Sequence, residues 1–211
     1  ASDVYKRQVR EAVGPNVDLA IDLHGRLTPA ASRRAGHALA PFDPFFIEEP
    51  CLPDGSASRL AALRALRTAQ PISIATGERL RSGHAFAQHL LPSPVVDIIQ
   101  PDVSMVGGVR ATLEIGAMAE AAQVSMAPHC PYGPVQFAAS MQVAAASPAH
   151  LIQEFQSLGG AGAGGGIPGG QGDCEDQDVW MMTAPPYNGP QTGFSAGNWD
   201  NVTVLEYNCV T

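Results

Sequence analysis

An acid and a histidine stand close together at the end of a short apolar run, in the stretch "IDLHGR" at residues 21–26. Residues i and i+2 of a strand point to the same face, so the side chains of Asp22 and His24 are predicted to meet at one place. A carboxylate and an imidazole there could bind a cation or transfer protons. For one such pair taken alone, a loop charge, a helix cap or a satisfied core histidine is the more common interpretation.

Ionisable residues also follow the other predicted strands, at the same end of each. These residues are Glu48 and Glu49, Glu78, Asp102, His129 and Glu154. Independent helix caps would not all fall at the same end of successive strands. In a parallel barrel the carboxyl ends of the strands converge on one mouth, where active sites are built. The pattern therefore predicts one reaction centre rather than scattered charges.

The elements that must position these residues follow a regular order. Short β-rich runs predict strands at 17–22, 45–49, 72–76, 95–100, 124–128 and 150–155. Apolar stripes at helical spacing predict helices over 58–70 and 107–123. Successive strands are about 25 residues apart, which is typical of βα units around a parallel sheet. An open doubly wound sheet fits this rhythm as well, but no G-x-G-x-x-G follows any strand, which weakens a dinucleotide-binding version.

The bulk properties exclude several classes of protein. The chain has 211 residues and a formal net charge of −8. It has no basic run interleaved with aromatic residues, so nucleic acid is not an expected partner. Every apolar stretch is shorter than the roughly 20 residues that span a bilayer, and the first residues lack the apolar core of a signal peptide. The four cysteines have no metal-type spacing and indicate reduced thiols, hence a cytoplasmic protein.

The carboxylates at the strand ends favour a hard divalent cation. Asp22, one glutamate of the pair 48–49 and Glu78 could supply three oxygens of an octahedral Mg²⁺ site, with water or substrate in the other positions.

A zinc site is the alternative, and it would use His24, His129 and Cys130. These residues lack compact tetrahedral spacing, and Cys130 should point away from its neighbour His129 on an extended segment. Simple packing explains Cys130 as well.

A set of motifs resembles a known family. In order along the chain they are "IDLHGR", "FFIEEP", "ATGERL", "IIQPD", "GG", "APHCPYGP" and "LIQEFQSLG". Together they resemble the enolase superfamily, in its mandelate racemase/muconate lactonizing enzyme branch, and most closely the galactonate dehydratases. The resemblance covers about residues 9–159. It implies an α/β fold, a TIM-like (β/α)7β barrel, and a Mg²⁺-dependent lyase that removes the C2 proton and C3 hydroxyl of a sugar acid. The product would be a 2-keto-3-deoxy sugar acid, and the full-length enzyme would be homo-oligomeric.

The resemblance also assigns roles to single residues. The Mg²⁺ ligands would be Asp22, Glu48 and Glu78. Glu49 would then lie behind the ligands or carry a loop charge, since consecutive strand residues face opposite ways.

The proton-transfer groups follow from the same resemblance. His129, oriented by Asp102, would remove the C2 proton. His24 would protonate the departing C3 hydroxyl, and Glu154 would hydrogen-bond a carboxylate oxygen of the intermediate. An aspartate and a histidine at positions 22 and 24 favour a dehydratase, because racemases of this branch usually have a lysine in place of the histidine.

Several parts of the family pattern are not found in the sequence. The capping domain and the first barrel strands are absent, residues 1–8 form an unmatched leader, and residues 160–211 are a Gly-rich, irregular tail with one predicted strand at 201–207. We therefore expect a partial barrel of about six βα units with exposed edges at both ends, neither stable nor active alone. The alternatives are another dehydratase or racemase of the branch, or a catalytically silent fragment that only binds a cation.

Overall fold

The structure is a computed structural model that describes residues 2–155, 179–184 and 200–206. The helices are Ser2–Val13 (α1), Pro29–Leu39 (α2), Ala57–Ala69 (α3), Gly83–Leu90 (α4), Val109–Ala121 (α5) and Pro134–Ala146 (α6). The strands are Asp18–Asp22 (β1), Pro44–Glu48 (β2), Ser73–Thr76 (β3), Ile98–Ile99 (β4), Ser125–Met126 (β5), Gln153–Phe155 (β6), Val179–Ala184 (β7) and Asp200–Glu206 (β8). Among the described residues, no helix is both long and apolar enough to cross a membrane.

Hydroxyl side chains begin three of the helices. The oxygens of Thr28, Ser56 and Ser82 accept hydrogen bonds from backbone N–H groups in the first turns of α2, α3 and α4. Such caps satisfy donors that have no partner within the helix. Helix α3 buries Leu63 and Leu66, so the helix predicted over 58–70 is confirmed. Helix α5 likewise confirms the one predicted over 107–123.

The strands form one eight-stranded sheet in the order β5-β4-β3-β2-β1-β8-β7-β6. Strands β1 to β5 are parallel to their neighbours, as the sequence predicts. A bridge between Met126 and His150, just before β6, links the two ends of this order into a ring. The barrel rhythm read from the sequence is therefore confirmed for this part of the chain.

The prediction that the partial barrel has exposed edges at both ends is wrong. Strand β8 pairs with β1 in parallel, and β7 pairs antiparallel with both β8 and β6. Two strands from the tail thus lie between the edges that the six predicted strands leave open. The predicted strand at 201–207 corresponds to β8, whereas β7, with the sequence VWMMTA, was not predicted. The Gly-rich stretch between Gly159 and β7 lies outside the described residues.

The predicted leader is part of a helix. Helix α1 includes residues 2–8 and continues to Val13. At its end, the Arg10 guanidinium donates to the carbonyl oxygens of Val17, Phe42 and Asp43, at 2.6, 3.0 and 3.0 Å. These carbonyls precede β1 and β2, so Arg10 holds the helix against the amino ends of both strands.

The strands alternate between an outer and an inner face. On the outer face, Ile21, Ile47, Ile74 and Ile99 pack against the helices. On the inner face, a separate buried cluster contains Ala20, Phe46, Ala75, Ile98, Ala127 and Ile152. We call this cluster the apolar layer. It is the filled core that a small barrel requires, and its side chains come from successive strands.

Candidate active site

The site residues occupy the inner face directly above the apolar layer. Side chains two positions apart on a strand share a face. Two residues beyond members of the apolar layer stand Asp22, Glu48, Gln100, His129 and Glu154. We call these five residues, with Glu78, the polar layer. Alternation along the strands therefore places most of the predicted site residues at one mouth of the barrel.

Asp22 and His24 meet, as their spacing predicts, although not as two residues of one strand. Strand β1 ends at Asp22, and His24 has a left-handed backbone with φ of 49°. This turn returns the ring to the aspartate, with His24 Nε2 2.9 Å from Asp22 Oδ2. The backbone N–H of His24 donates to Asp22 Oδ1 at 2.7 Å. A left-handed backbone is unfavourable for a histidine, so contacts at the site must hold it.

Glu48 lies directly beside Asp22, because the two residues are partners in the parallel register of β1 and β2. Burial raises the pKa of Glu48 well above its ordinary value, and the nearby charges of Asp22 and Glu154 raise it further. Burial also raises the pKa of Asp22, against the opposing effect of His24. A pair of buried carboxylates of this kind is costly without a cation or a proton between them.

Glu49 has a different environment from Glu48, as the sequence predicts for adjacent residues. It is fully buried, with a left-handed φ of 39°. Its Oε1 accepts from the Thr76 hydroxyl at 3.2 Å, and its Oε2 lies 2.6 Å from Arg79 Nε. Burial raises the pKa of Glu49 to about 7, although Arg79 opposes the shift.

Glu78 reaches the mouth because the chain turns sharply after β3. Gly77 has φ of 150°, and a Cβ there would lie 2.7 Å from the backbone nitrogen of Gln100. Only glycine allows this close approach without a shift of the backbone. The two carboxylate oxygens of Glu78 then face different cations, with Oε1 3.0 Å from Arg79 Nη2 and Oε2 3.1 Å from His129 Nε2. Burial would raise the pKa of Glu78, but His129 and Arg79 outweigh it and lower the pKa.

His129 and Asp102 form the pair that the sequence predicts. His129 Nδ1 lies 2.8 Å from Asp102 Oδ2, while Asp102 Oδ1 accepts from the backbone N–H of Ser104 at 2.7 Å. The imidazole is therefore held between Asp102 on one nitrogen and Glu78 on the other. Burial would lower the pKa of His129, but the charges of Glu154, Asp102 and Glu78 raise it well above its ordinary value.

Glu154 completes the polar layer from β6. Its Oε2 accepts a hydrogen bond from the backbone N–H of Cys130 at 2.8 Å. Burial raises the pKa of Glu154 to about 7. Burial also raises the pKa of the Cys130 thiol to about 12, so without a metal it is a neutral thiol. The zinc alternative gains no support from Cys130, because among the described residues its sulfur belongs to no group of three ligand atoms close enough to share an ion.

The potential ligand atoms of Asp22, His24 and Glu78 lie within 4.8 Å of one another. This group and the predicted set of Mg²⁺ ligands share Asp22 and Glu78, but the group contains His24 where the prediction has Glu48. The left-handed turn at His24, which the strand spacing does not reveal, explains why His24 is in the group. Two carboxylates and an imidazole, with a third carboxylate in register beside Asp22, suit a divalent cation.

Three further residues of the site were not singled out from the sequence. Arg79 contacts both Glu49 and Glu78. Gln136 donates to the carbonyl oxygen of His129 at 3.3 Å and accepts from the N–H of Tyr132 at 2.7 Å. Gln100 belongs to the polar layer and is fully buried. Its position two residues after Ile98, in the stretch IIQPD, was the available signal.

A family model described as enolase C-terminal domain-like matches residues 5–178. The chain belongs to this family. The match confirms the resemblance seen in the motifs and accounts for the parallel βα units of β1 to β5. Its range is wider than the residues 9–159 that carry those motifs.

A curated protein of known name is similar to most of the chain. The chain is 38% identical over 161 residues to D-galactonate dehydratase of Xanthomonas euvesicatoria pv. vesicatoria (strain 85-10), covering 75% of this chain and 40% of that protein. The chain therefore spans less than half the length of this relative.

Solved structures show the same likeness. A mandelate racemase/muconate lactonizing enzyme from Sulfitobacter sp. has 39% identity and a TM-score of 0.67, covering 72% of this chain and 37% of that one. A racemase from Streptomyces coelicolor A3(2) with bound magnesium has 27% identity and a TM-score of 0.65, covering 72% and 40%.

Proposed function

We propose that this chain carries most of the active site of a Mg²⁺-dependent acid-sugar dehydratase similar to D-galactonate dehydratase. The observation that carries the proposal is the arrangement of two histidines around shared carboxylates. His24 contacts Asp22, His129 contacts Glu78, and these two carboxylates belong to one group. A base and an acid on different sides of a substrate are what the removal of a proton and a hydroxyl requires. The 38% identity to a named dehydratase supports the reaction class.

The residues present fit a magnesium ion. Asp22, Glu48 and Glu78 would hold it, and the buried carboxylates of Asp22 and Glu48 are the hard oxygen donors that it prefers. A bound Mg²⁺ would stabilise the negative charge that develops on the substrate carboxylate when the C2 proton leaves. The magnesium-bound racemase among the similar structures supports this choice of ion.

His129 is the proposed base. Asp102 fixes the ring through Nδ1, which leaves Nε2 to face the mouth beside Glu78. A base must be neutral before it accepts a proton, and three carboxylates now raise the pKa of His129. A cation bound at Glu78 would offset the charge of that carboxylate and lower the pKa of His129 toward the working pH, where a base is most effective.

His24 is the proposed acid, and its short contact with Asp22 keeps the ring at the mouth of the barrel. Glu154 lies buried between Cys130 and the charges of the site, with a pKa of about 7. A carboxyl group of this pKa can carry a proton and donate a hydrogen bond to a substrate carboxylate oxygen. We further propose that the full-length enzyme is a homo-oligomer that takes part in sugar-acid breakdown in the cytoplasm.

The experiment uses two proteins, because the chain spans less than half of its relative. One is this chain, and the other is a chimera in which residues 9–159 replace the matching segment of the Xanthomonas dehydratase. Each is incubated with Mg²⁺ and a panel of aldonic acids in D₂O, and 2-keto-3-deoxy product and C2 deuterium are measured. We expect product from the chimera and none from the chain alone.

Two substitutions in the chimera separate the roles of the histidines. His129→Asn should lower the rates of both C2 exchange and product formation by roughly 10²–10⁴, to near the background of each measurement. His24→Asn should reduce product by a similar factor but leave C2 exchange detectable, provided that exchange can precede loss of the hydroxyl. Exchange without any product in the unsubstituted chimera would instead favour a racemase. A chimera that binds Mg²⁺ but does neither would favour a catalytically silent scaffold.

A further inference from the structure

We propose that Arg79 is a positioning residue that sets the orientation of Glu78 for cation binding, with the buried Glu49 as its anchor. The inference rests on the proposed function only in taking Glu78 as a cation ligand.

Arg79 connects the ends of three neighbouring strands. Its Nε lies 2.6 Å from Glu49 Oε2, at the end of β2. Its Nη2 lies 3.0 Å from Glu78 Oε1, after β3, and donates to the backbone oxygen of His24, after β1, at 3.2 Å. One guanidinium therefore touches a predicted ligand, the backbone of the predicted acid and a carboxylate that has no assigned role.

Glu49 is a rigid anchor for this contact. Its carboxylate is fully buried, and the Thr76 hydroxyl holds its other oxygen. Its backbone oxygen accepts from the N–H of Gly25 at 2.8 Å, and its own N–H donates to the oxygen of Ala75 at 2.9 Å. Because backbone and side chain are both fixed, Glu49 can hold Arg79 in one place although the arginine side chain is 39% exposed.

Glu78 is in turn fixed from two sides. Arg79 contacts Oε1 and His129 contacts Oε2, so rotation of the carboxylate would break one contact or the other. Partners of a metal ligand that set its orientation typically change metal affinity about 10–100-fold when removed. Arginine suits this task because its planar fork can hold two carboxylates at fixed angles, which a lysine ammonium cannot do.

The charge of Arg79 makes a competing prediction. A cation beside the site should repel Mg²⁺, so a purely electrostatic view predicts tighter binding when Arg79 is removed. A purely structural view predicts that Arg79 only neutralises the buried Glu49, so that removing both charges together restores the protein. If Arg79 instead positions Glu78, Mg²⁺ binding is weaker both when Arg79 is removed alone and when the charges of Arg79 and Glu49 are removed together.

The test measures Mg²⁺ affinity of the chain by titration calorimetry, with thermal unfolding recorded for each variant. The variants are Arg79→Gln, Arg79→Lys, Glu49→Gln and the double variant Arg79→Gln/Glu49→Gln, with the exposed Arg81→Gln as the matched control. We expect about tenfold weaker binding in Arg79→Gln, Glu49→Gln and the double variant, a smaller loss in Arg79→Lys, and no change in Arg81→Gln. The double variant is expected to be at least as stable as Arg79→Gln, because it leaves no buried charge unpaired.

Three results would overturn the inference. One is unchanged or tighter Mg²⁺ binding in Arg79→Gln, and another is full recovery of affinity in the double variant. The third is an unsubstituted chain that does not bind Mg²⁺. The remaining result separates the two proposals. If the chain binds Mg²⁺ and its variants bind it more weakly as expected, while the chimera makes no keto acid, the role of Arg79 is supported and the dehydratase activity is rejected.

Discussion

The apolar layer and the polar layer lie on the same inner face of the barrel, two residues apart on most strands, yet they have opposite effects on stability. Ala20 and Phe46 are buried against carbon and gain from leaving water. Asp22 and Glu48, the next residues on that face, are buried with pKa values raised by loss of water. On β1 and β2, therefore, one inward side chain stabilises the barrel and the next inward side chain lowers its stability.

Several charges of the polar layer are paired, which offsets part of the cost of their burial. His129 lies between Asp102 and Glu78, and His24 lies against Asp22. Pairing offsets the cost of burial but rarely exceeds it, so such clusters are weak evidence of stability. The difference between the layers indicates that the lower one contributes to the stability of the barrel, whereas the upper one lowers it.

The largest expected effect is in the apolar layer. Phe46 is fully buried there, and Phe46→Ala should lower the free energy of unfolding by about 3–5 kcal/mol through lost burial and a cavity. Phe45→Ala is the matched control, because Phe45 is only partly buried beside the same cluster. Denaturant titration of both variants measures the difference. Equal losses at the two positions would contradict the central place of Phe46 in the apolar layer.

A second prediction compares two histidines. His150 stands on the same face as Ile152 but two residues below it, where burial lowers its pKa to about 4. Carboxylates raise the pKa of His129 instead. Above its unfolded pKa, near 6.5, His150 is neutral in both states and has no effect on stability. As the pH falls, the unfolded chain takes up the proton first, so stability is lost between pH 6.5 and 4.

The expected loss attributable to His150 is about 2 kcal/mol between pH 7 and pH 5. His150→Gln removes the titrating group and should lose that much less stability over the same range. The exposed His84→Gln is the control and should follow the unsubstituted chain. If the free energy of unfolding fell equally with pH in His150→Gln and in the unsubstituted chain, protonation of His150 would have no effect on stability.

The sequence predicted those features that follow from local alternation and shared strand direction. The meeting of the carboxyl ends of β1 to β5 follows from their shared direction. The pairing of His129 with Asp102 follows from it too, since parallel strands bring their carboxyl ends together. The position of His24 depends on a left-handed turn, and the pairing of β8 with β1 joins residues far apart in sequence. Arg79 was missed because an arginine after a glutamate is usually a solvated charge.

The smallest expected effect is in the polar layer and has the opposite sign. Glu48→Gln keeps the shape of the side chain and removes a buried negative charge beside Asp22 and Glu154. We expect the free energy of unfolding at pH 8, without divalent cations, to rise, because the substitution removes the cost of burying this charge. The exposed Glu114→Gln is the control and should change stability by no more than about 0.5 kcal/mol.

The pH dependence of this effect follows from the direction of the shift. Because the pKa of Glu48 is raised in the folded state, the folded protein takes up the proton first as the pH falls from 8 toward 4.5. The unsubstituted chain therefore gains stability relative to Glu48→Gln, and the difference between them should shrink over that range. Urea titrations at several pH values measure it. A loss of about 2 kcal/mol at pH 8, comparable with a core substitution, would show that Glu48 stabilises the barrel and that the two layers do not differ in kind.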